Sequence, residues 1–310
     1  MKDKVTYIDA GMQDMSRPKN RPPKHNWKTD MIKKSLQALQ HVSPQLASTI
    51  IWKQFTKPGR TRFTEPQLTL LKQATIEQKN YQGHTLYAYR WGHQGPKVLL
   101  SHGWRSKIAD FRRLILALTE AGFVVEGIDM KAHGQSGGTH TALPEFRSIL
   151  KEHYVKHAPY HAVIGYSLGG LAAGIALSEV SPSLHPQQVF LLATPPYPRY
   201  FFYDIVQQLG CKQEVYEAFC NLVEATYYQP IDYFDLRQKH NWLSNIDLHL
   251  LYDENDEMVT LAKGQELQAS YSQANFVHTK GLGHYKIIAY QAVIDYIVQQ
   301  TKAARQPVAV

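Results

Sequence analysis

The chain has 310 residues, 44% hydrophobic and 19% charged, with 34 Lys or Arg against 26 Asp or Glu and a formal charge of +8. A chain of this length buries roughly three quarters of the surface that it exposes when unfolded, which suits one domain carrying an insertion. No run approaches the roughly 18 apolar residues of a spanning helix, and no apolar stretch follows the first basic residues; neither a transmembrane helix nor a secretory signal is expected, and the default location is cytoplasmic.

The charge is uneven along the chain. Residues 1–62 hold 13 Lys or Arg against 4 Asp, so the basic character belongs to the N-terminal segment and not to the remainder. Residues 1–30, with Pro18, Pro22 and Pro23 among the basic residues from Arg17 to Lys24, read as a disordered basic arm. Residues 31–74 read as a helical extension. Met31, Ile32, Leu36 and Leu39, then Leu46, Ile50, Ile51, Trp52 and Phe55, mark amphipathic helices split near Pro44. Such helices either pack against the enzyme body or lie on an anionic membrane surface. Nucleic-acid binding is not expected, because the arm lacks the patterned aromatics and folded module that it needs.

From residue 75 to the C-terminus the pattern becomes that of a single alternating βα domain. Thr75 to Gln82 and His84 to Trp91 alternate as a hairpin joined at Gly83. Strands around Val98, at Phe123–Ile128, around Val163 and at Gln188–Leu192 then alternate with helices at Lys107–Ala121, Pro144–His157 and Leu168–Val180. Nearly continuous apolar strands in βα alternation indicate an α/β fold, with a mostly parallel, doubly wound sheet of about eight strands covered on both faces. Between about 195 and 242 the alternation breaks at Pro195-Pro196-Tyr197-Pro198, and a helical stretch from Cys211 to Tyr228 replaces the next strand; a small helical cap insertion is expected there. This segment holds 12 of the 35 aromatic residues in 48 positions, a composition that suits the roof of an apolar pocket. Cys211 and Cys220 fall in the same segment, match no metal-ligand spacing and read as reduced packing thiols.

The chemistry is carried by Gly165-Tyr166-Ser167-Leu168-Gly169-Gly170, which follows the apolar run His161-Ala162-Val163-Ile164 and opens a small-residue helix. Strand, tight turn and helix in this order are what a nucleophile elbow requires, and the glycines leave room for the turn to close against its neighbours. Ser167 is therefore the candidate nucleophile. Its partners should follow in the order acid, then histidine, each in a loop after a later strand. Ile246–Tyr252 reads as such a strand and empties into the acidic loop 253–259, where Asp256 is preferred as the acid and Asp253 is the rival. A helix at Leu261–Tyr271 and a strand at Ala274–His278 lead to Gly281-Leu282-Gly283-His284, where His284 is the candidate base. Two backbone N–H groups, those of Leu168 and of Trp104 in the loop His102-Gly103-Trp104, are the candidate oxyanion hole. His102 is read as a ring that braces its own loop. Tyr166, Tyr197, Phe201 and Phe202 are candidates to line the substrate pocket. There is no internal repeat, phosphate loop or dinucleotide fingerprint, so neither cofactor nor metal is expected.

His102-Gly103-Trp104, Asp129-Met130-Lys131-Ala132-His133-Gly134-Gln135-Ser136, the elbow, Asp256 and Gly283-His284 match in order the landmarks of a known family. The chain resembles the α/β hydrolases of the serine-esterase type, including bacterial members with an N-terminal helical extension, from about Glu77 to Gln299. The resemblance implies that Asp129 and His133-Gly134 are structural. It also implies acyl transfer through a covalent acyl-Ser167 intermediate, with a small carboxylic ester of short or medium acyl or aryl character as the expected substrate. The same constellation serves acyltransferases, thioesterases and C–C hydrolases, and a member that only binds is the alternative of a different class. Relatives with Asp at the elbow, the dehalogenases and epoxide hydrolases, do not fit Ser167. The His-Gly-Gly-Gly loop of some lipases and the His-Gly-Gly-Pro-Gly loop of prolyl aminopeptidases are both absent.

Overall fold

The computed structural model describes residues 5–10, 27–239, 242 and 246–304. In chain order the elements are β1 (Val5–Asp9), α1 (Trp27–Leu39), α2 (Pro44–Phe55), α3 (Glu65–Lys72), β2 (Thr75–Tyr81), β3 (His84–Trp91), β4 (Lys97–Ser101), α4 (Arg112–Glu120), β5 (Val124–Ile128) and α5 (Leu143–His157). They continue as β6 (Ala162–Tyr166), α6 (Leu168–Ser178), β7 (Gln188–Leu192), α7 (Arg199–Gln208), α8 (Gln213–Tyr227), β8 (Asp247–Asp253), α9 (Leu261–Ser270), β9 (Asn275–Lys280), α10 (Gly283–Lys286) and α11 (Gln291–Ala303). None of the described helices is long and apolar enough to cross a membrane. The described residues divide into two compact units, one of 5–10, 58–196 and 236–304, the other of 27–57 and 197–235.

The first unit is built on a nine-stranded sheet in the order β1-β9-β8-β7-β6-β4-β5-β3-β2. Every pairing from β1 to β5 is parallel, and only β3 and β2 run antiparallel to their neighbours. The β2–β3 turn uses Gln82 and Gly83 at φ of +50° and +79°, the left-handed pair that a two-residue hairpin loop needs. β5, β6 and β7 are buried at every position, as central parallel strands must be when both faces are covered. On one face Val98, Leu100, Ile164, Phe190 and Leu192 form a core with Leu114 and Leu118 of α4 and Ile294 and Ile297 of α11. Residues of opposite parity face α6 and α9; Gly264 of α9 lies so close to the Tyr252 ring that an added Cβ would sit 2.4 Å from it.

Two expectations for the N-terminal region are corrected. Val5–Asp9, within the segment expected to be disordered, is an edge strand in register with β9, from Val5 opposite Phe276 to Asp9 opposite Lys280. Val5, Thr6, Tyr7 and Ile8 have the β-branched and aromatic character of a strand, and Ile8 and Ala10 pack against the core, so pairing with a strand distant in sequence outweighs the local charge. The rest of the expected arm, 11–26, lies outside the described residues. The expected extension 31–74 also divides: Leu70 and Leu71 of α3 enter the core of the sheet unit, where the Trp91 indole N–H donates to the Leu70 carbonyl at 2.9 Å, whereas 31–57 belongs to the other unit.

The second unit is helical, formed by α1, α2, α7 and α8. Its core contains Leu36, Ala47, Ile51, Phe202, Val206, Val215, Phe219 and Val223, and both cysteines are buried in it. Trp52 meets Phe219 edge-on at 5.6 Å, and Gln40 Oε1 accepts the Lys212 N–H at 2.7 Å. α7 is a helix that the aromatic run Tyr200-Phe201-Phe202-Tyr203 did not reveal. In the sheet unit, the Leu236 N–H donates to the Pro196 carbonyl at 2.9 Å, so the segment 197–235 leaves and rejoins that unit at one point.

Candidate active site

The carboxyl ends of β4, β6, β8 and β9 hold the predicted residues. β4 lies between β5 and β6, so the chain turns to opposite sides of it, and the crevice at such a reversal is where open α/β sheets take their ligands. Ser167 follows β6 directly, with φ of +52° and ψ of −129°. A non-glycine residue holds this conformation only where its surroundings enforce it. Here the Ser167 N–H donates to the Leu192 carbonyl at 2.9 Å, and the Ser167 carbonyl accepts the Gly170 N–H at 2.9 Å. The glycines are explained by space. A Cβ on Gly165 would lie 2.5 Å from the Gly170 Cα, and one on Gly169 would lie 2.2 Å from the His102 carbonyl oxygen.

The structure brings Ser167, His284 and Asp256 together. His284 Nδ1 lies 2.7 Å from Asp256 Oδ2, and His284 Nε2 lies 3.0 Å from Ser167 Oγ. A carboxylate only accepts, so Nδ1 carries the proton and Nε2 is free to accept from the Ser167 hydroxyl. Ser167, Asp256 and His284 are all buried. The second oxygen of Asp256 accepts the N–H groups of Met258 and Val259, each at 2.8 Å, which fixes the carboxylate plane.

Asp253, the rival acid, meets a different set of groups. Its Oδ1 accepts from Asn255 N–H at 2.9 Å and Gly283 N–H at 2.8 Å, and its Oδ2 accepts from Leu282 N–H at 3.1 Å and the Thr279 hydroxyl at 2.7 Å. Fully buried, it binds the turn that precedes His284 to the strand that precedes Asp256.

The loop after β4 lies against the nucleophile. A Cβ on Gly103 would sit 2.9 Å from Ser167 Cβ, so the Gly103 backbone runs beside the serine. His102 braces this loop: Nε2 accepts the Met130 N–H at 3.0 Å and Nδ1 donates to the Gly103 carbonyl at 2.8 Å. Burial pushes its pKa down to about 4, so the ring is neutral. His133 does the same from the next turn, accepting the Arg105 N–H at 3.0 Å, and burial followed by the neighbouring His102 lowers its pKa to about 3. Asp129 accepts from Ile108 N–H, Gln135 N–H and the Tyr89 hydroxyl, which makes it a structural carboxylate. Arg60, unnoticed in the sequence, donates to the Gly134 and Ser136 carbonyls and pins the same turn.

Two expected pocket residues make contacts that the sequence did not reveal. Tyr166 is buried; its hydroxyl donates to the His284 carbonyl at 3.0 Å and its ring lies 6.3 Å from that of Phe111. Phe202 packs against Phe55 and Phe219, with ring centroids 5.7 and 4.9 Å away, inside the core of the helical unit. Tyr197 and Phe201 are half-buried and each meets the Tyr200 ring. Tyr166 escaped notice as a hydrogen-bond donor because its partner lies 118 residues away.

Residues 92–211 match the family of hydrolases described as serine aminopeptidase, S33. No curated protein sequence matches the chain at a significant level. Among solved structures, an esterase of Pyrococcus furiosus is 19% identical with a TM-score of 0.56, over 80% of this chain and 96% of that one. A membrane phospholipase A, described as a bacterial virulence factor, is 13% identical with a TM-score of 0.57, over 78% and 93%. A thioesterase domain from the curacin biosynthetic pathway is 15% identical with a TM-score of 0.52, over 75% and 99%. These identities speak to fold. With its strand order, its strand-exit loops and the matched segment, the chain has the α/β-hydrolase fold.

Proposed function

We propose that this α/β hydrolase cleaves carboxylic esters of short or medium acyl or aryl character through an acyl-Ser167 intermediate. The observation that carries the reading is the hydrogen-bonded series from Asp256 through His284 to Ser167, with contacts of 2.7 and 3.0 Å. His284 Nε2 takes the Ser167 proton as Oγ attacks the ester carbonyl, and the Leu168 and Trp104 N–H groups receive the oxyanion. The tetrahedral intermediate collapses as His284 returns the proton to the leaving alkoxide. Water, deprotonated by the same ring, then releases the acid and frees Ser167. Asp256 holds the imidazole in its tautomer and stabilises the imidazolium in both halves. Esters are favoured over peptides because the chain lacks the His-Gly-Gly-Pro-Gly loop of prolyl aminopeptidases.

The test is hydrolysis of p-nitrophenyl esters from acetate to decanoate by the wild type and Ser167→Ala, with mass spectrometry after a fluorophosphonate probe. Turnover by the wild type alone, with one adduct on Ser167, is expected. An adduct without turnover moves the reading to acyl transfer, a thioester or a C–C bond. Neither adduct nor turnover overturns it in favour of a binding role.

A further inference from the structure

The helical unit carries a surface that the proposed ester chemistry does not use. Five of the fourteen exposed large hydrophobic side chains among the described residues fall within 31–50: Met31, Ile32, Val42, Leu46 and Ile50, with Val42 at 83% and Leu46 at 57% exposure. Side chains of this size scattered singly need no explanation, but these are ordered. Leu46, Ile50 and Lys53 recur at intervals of four and three and so share one face of α2. Val42 precedes that face in the turn before the Ser43 N-cap, and Lys57 follows it just beyond the Thr56 C-cap. The opposite face, with Ala47, Ser48 and Ile51, is the buried one. On α1, Leu36 is buried, Met31 and Lys34 are exposed on the other side of the helix, and Ile32, one turn before Leu36, is exposed as well.

The charge on this hairpin is mostly of one sign, with Asp30 in the first turn of α1 as its one acid. From Met31 to Lys57 there are four lysines and no Asp or Glu. We propose that the α1–α2 hairpin docks on an anionic lipid bilayer, with Val42, Leu46 and Ile50 entering the interfacial region and Lys34, Lys53 and Lys57 meeting lipid phosphates. An aliphatic row bordered by lysines meets both requirements of interfacial binding, apolar area and attraction to negative headgroups, neither of which suffices alone on a surface of this size. A second copy of the same face would set lysine against lysine. A nucleic acid would accept the lysines but leave the aliphatic row in water. Docking of this kind is independent of the reaction at Ser167.

The test is co-sedimentation of the full chain with phosphatidylcholine vesicles with and without phosphatidylglycerol, at low and high salt. Leu46→Ser/Ile50→Ser and Lys53→Gln/Lys57→Gln serve as paired variants; all four positions are exposed, and circular dichroism checks that each variant folds. The wild type is expected to bind only the phosphatidylglycerol vesicles and to release them in high salt. Each lysine near an anionic surface is worth roughly 1 kcal/mol, so the lysine pair should weaken binding about tenfold or more, and the aliphatic pair should weaken it as well. Four results overturn the proposal: no vesicle binding by the wild type; binding lost with the lysine pair but kept with the aliphatic pair; tighter capture of duplex DNA than of vesicles; or lipid-free dimerisation that the aliphatic pair abolishes.

Discussion

The Tyr166 hydroxyl donates to the backbone carbonyl of His284 across 3.0 Å, and its ring centroid lies 5.2 Å from the imidazole. The residue before the candidate nucleophile thus holds the candidate base from behind. Ser167 and His284 arrive from different strands, and this side chain ties their two turns together. Tyr166→Phe keeps the ring and removes one buried hydrogen bond, at a cost of about 1 kcal/mol. The expected result is a kcat lower by several fold with KM unchanged and only a slightly lower unfolding midpoint. Unchanged kcat would show that the His284 turn holds its position without this bond.

The two carboxylates of the β8 loop should separate in their variants. In Asp256→Asn the oxygen can still accept from Met258 and Val259, but the amide nitrogen faces His284 Nδ1 and favours the wrong tautomer. Activity should fall by roughly 10⁴ with little change in unfolding midpoint. In Asp253→Asn an amide donor is set against the N–H groups of Asn255 and Gly283 at one position or against that of Leu282 at the other, leaving a buried donor unsatisfied. Its unfolding midpoint should drop clearly, and its loss of activity should be the smaller one. The reverse pattern in urea titrations and kcat would exchange the two roles.

Most of the site is legible because its chemistry is local. Gly165 to Gly170 form the turn that sets Ser167, and Gly283 directly precedes His284, so each motif sits within a few residues of the group it serves. Asp256 and Asp253 share one acidic loop and differ only in which of them meets the imidazole, a matter of how the turn after β9 is held. β1 is five residues long and pairs with a strand some 270 positions away, beyond the reach of periodicity. Tyr166 and Phe202 read as pocket residues on composition, yet the hydroxyl of one and the ring of the other are committed to long-range partners within their own units. Local pattern identifies reactive groups, whereas tertiary pairing decides which neighbours hold them.

Stability should fall in mild acid because of His102 and His133. Burial lowers both folded-state values, to about 4 and about 3, while the unfolded chain takes up protons near the ordinary imidazole value of about 6.5. The unfolded state therefore binds more protons throughout that window. The contribution of the two rings is complete above about 6.5 and is lost as pH falls toward 4 and 3, by up to ~1.4 kcal/mol per pH unit for each ring. Urea midpoints at about pH 7.5 and about pH 5 should show the decline. His133→Gln, which keeps an acceptor for the Arg105 N–H, should make it shallower. A variant slope equal to that of the wild type would place the titrating groups elsewhere.

Gly103 and Gly169 lie on either side of the contact between the loop after β4, the candidate oxyanion loop, and the elbow, and alanine should affect them differently. At Gly169 the new Cβ would be 2.2 Å from the His102 carbonyl oxygen and 2.7 Å from that of Ser101, backbone that β4 holds in place. Gly169→Ala is expected to fail to fold. At Gly103 the closest atoms would be Ser167 Cβ at 2.9 Å, and a ring carbon and the carbonyl oxygen of Tyr166, each at 3.2 Å, a clash that a small displacement of the loop relieves. That displacement carries the Trp104 N–H away from the position proposed for the oxyanion. The loss of one such donor is worth roughly 3 kcal/mol, or about a hundredfold in kcat, with little change in KM. Gly103→Ala should remain folded by circular dichroism and should still be labelled at Ser167 by a fluorophosphonate, at a reduced rate. A folded Gly103→Ala with the kcat of the wild type would remove Trp104 from the oxyanion hole and leave Leu168 as its proposed donor.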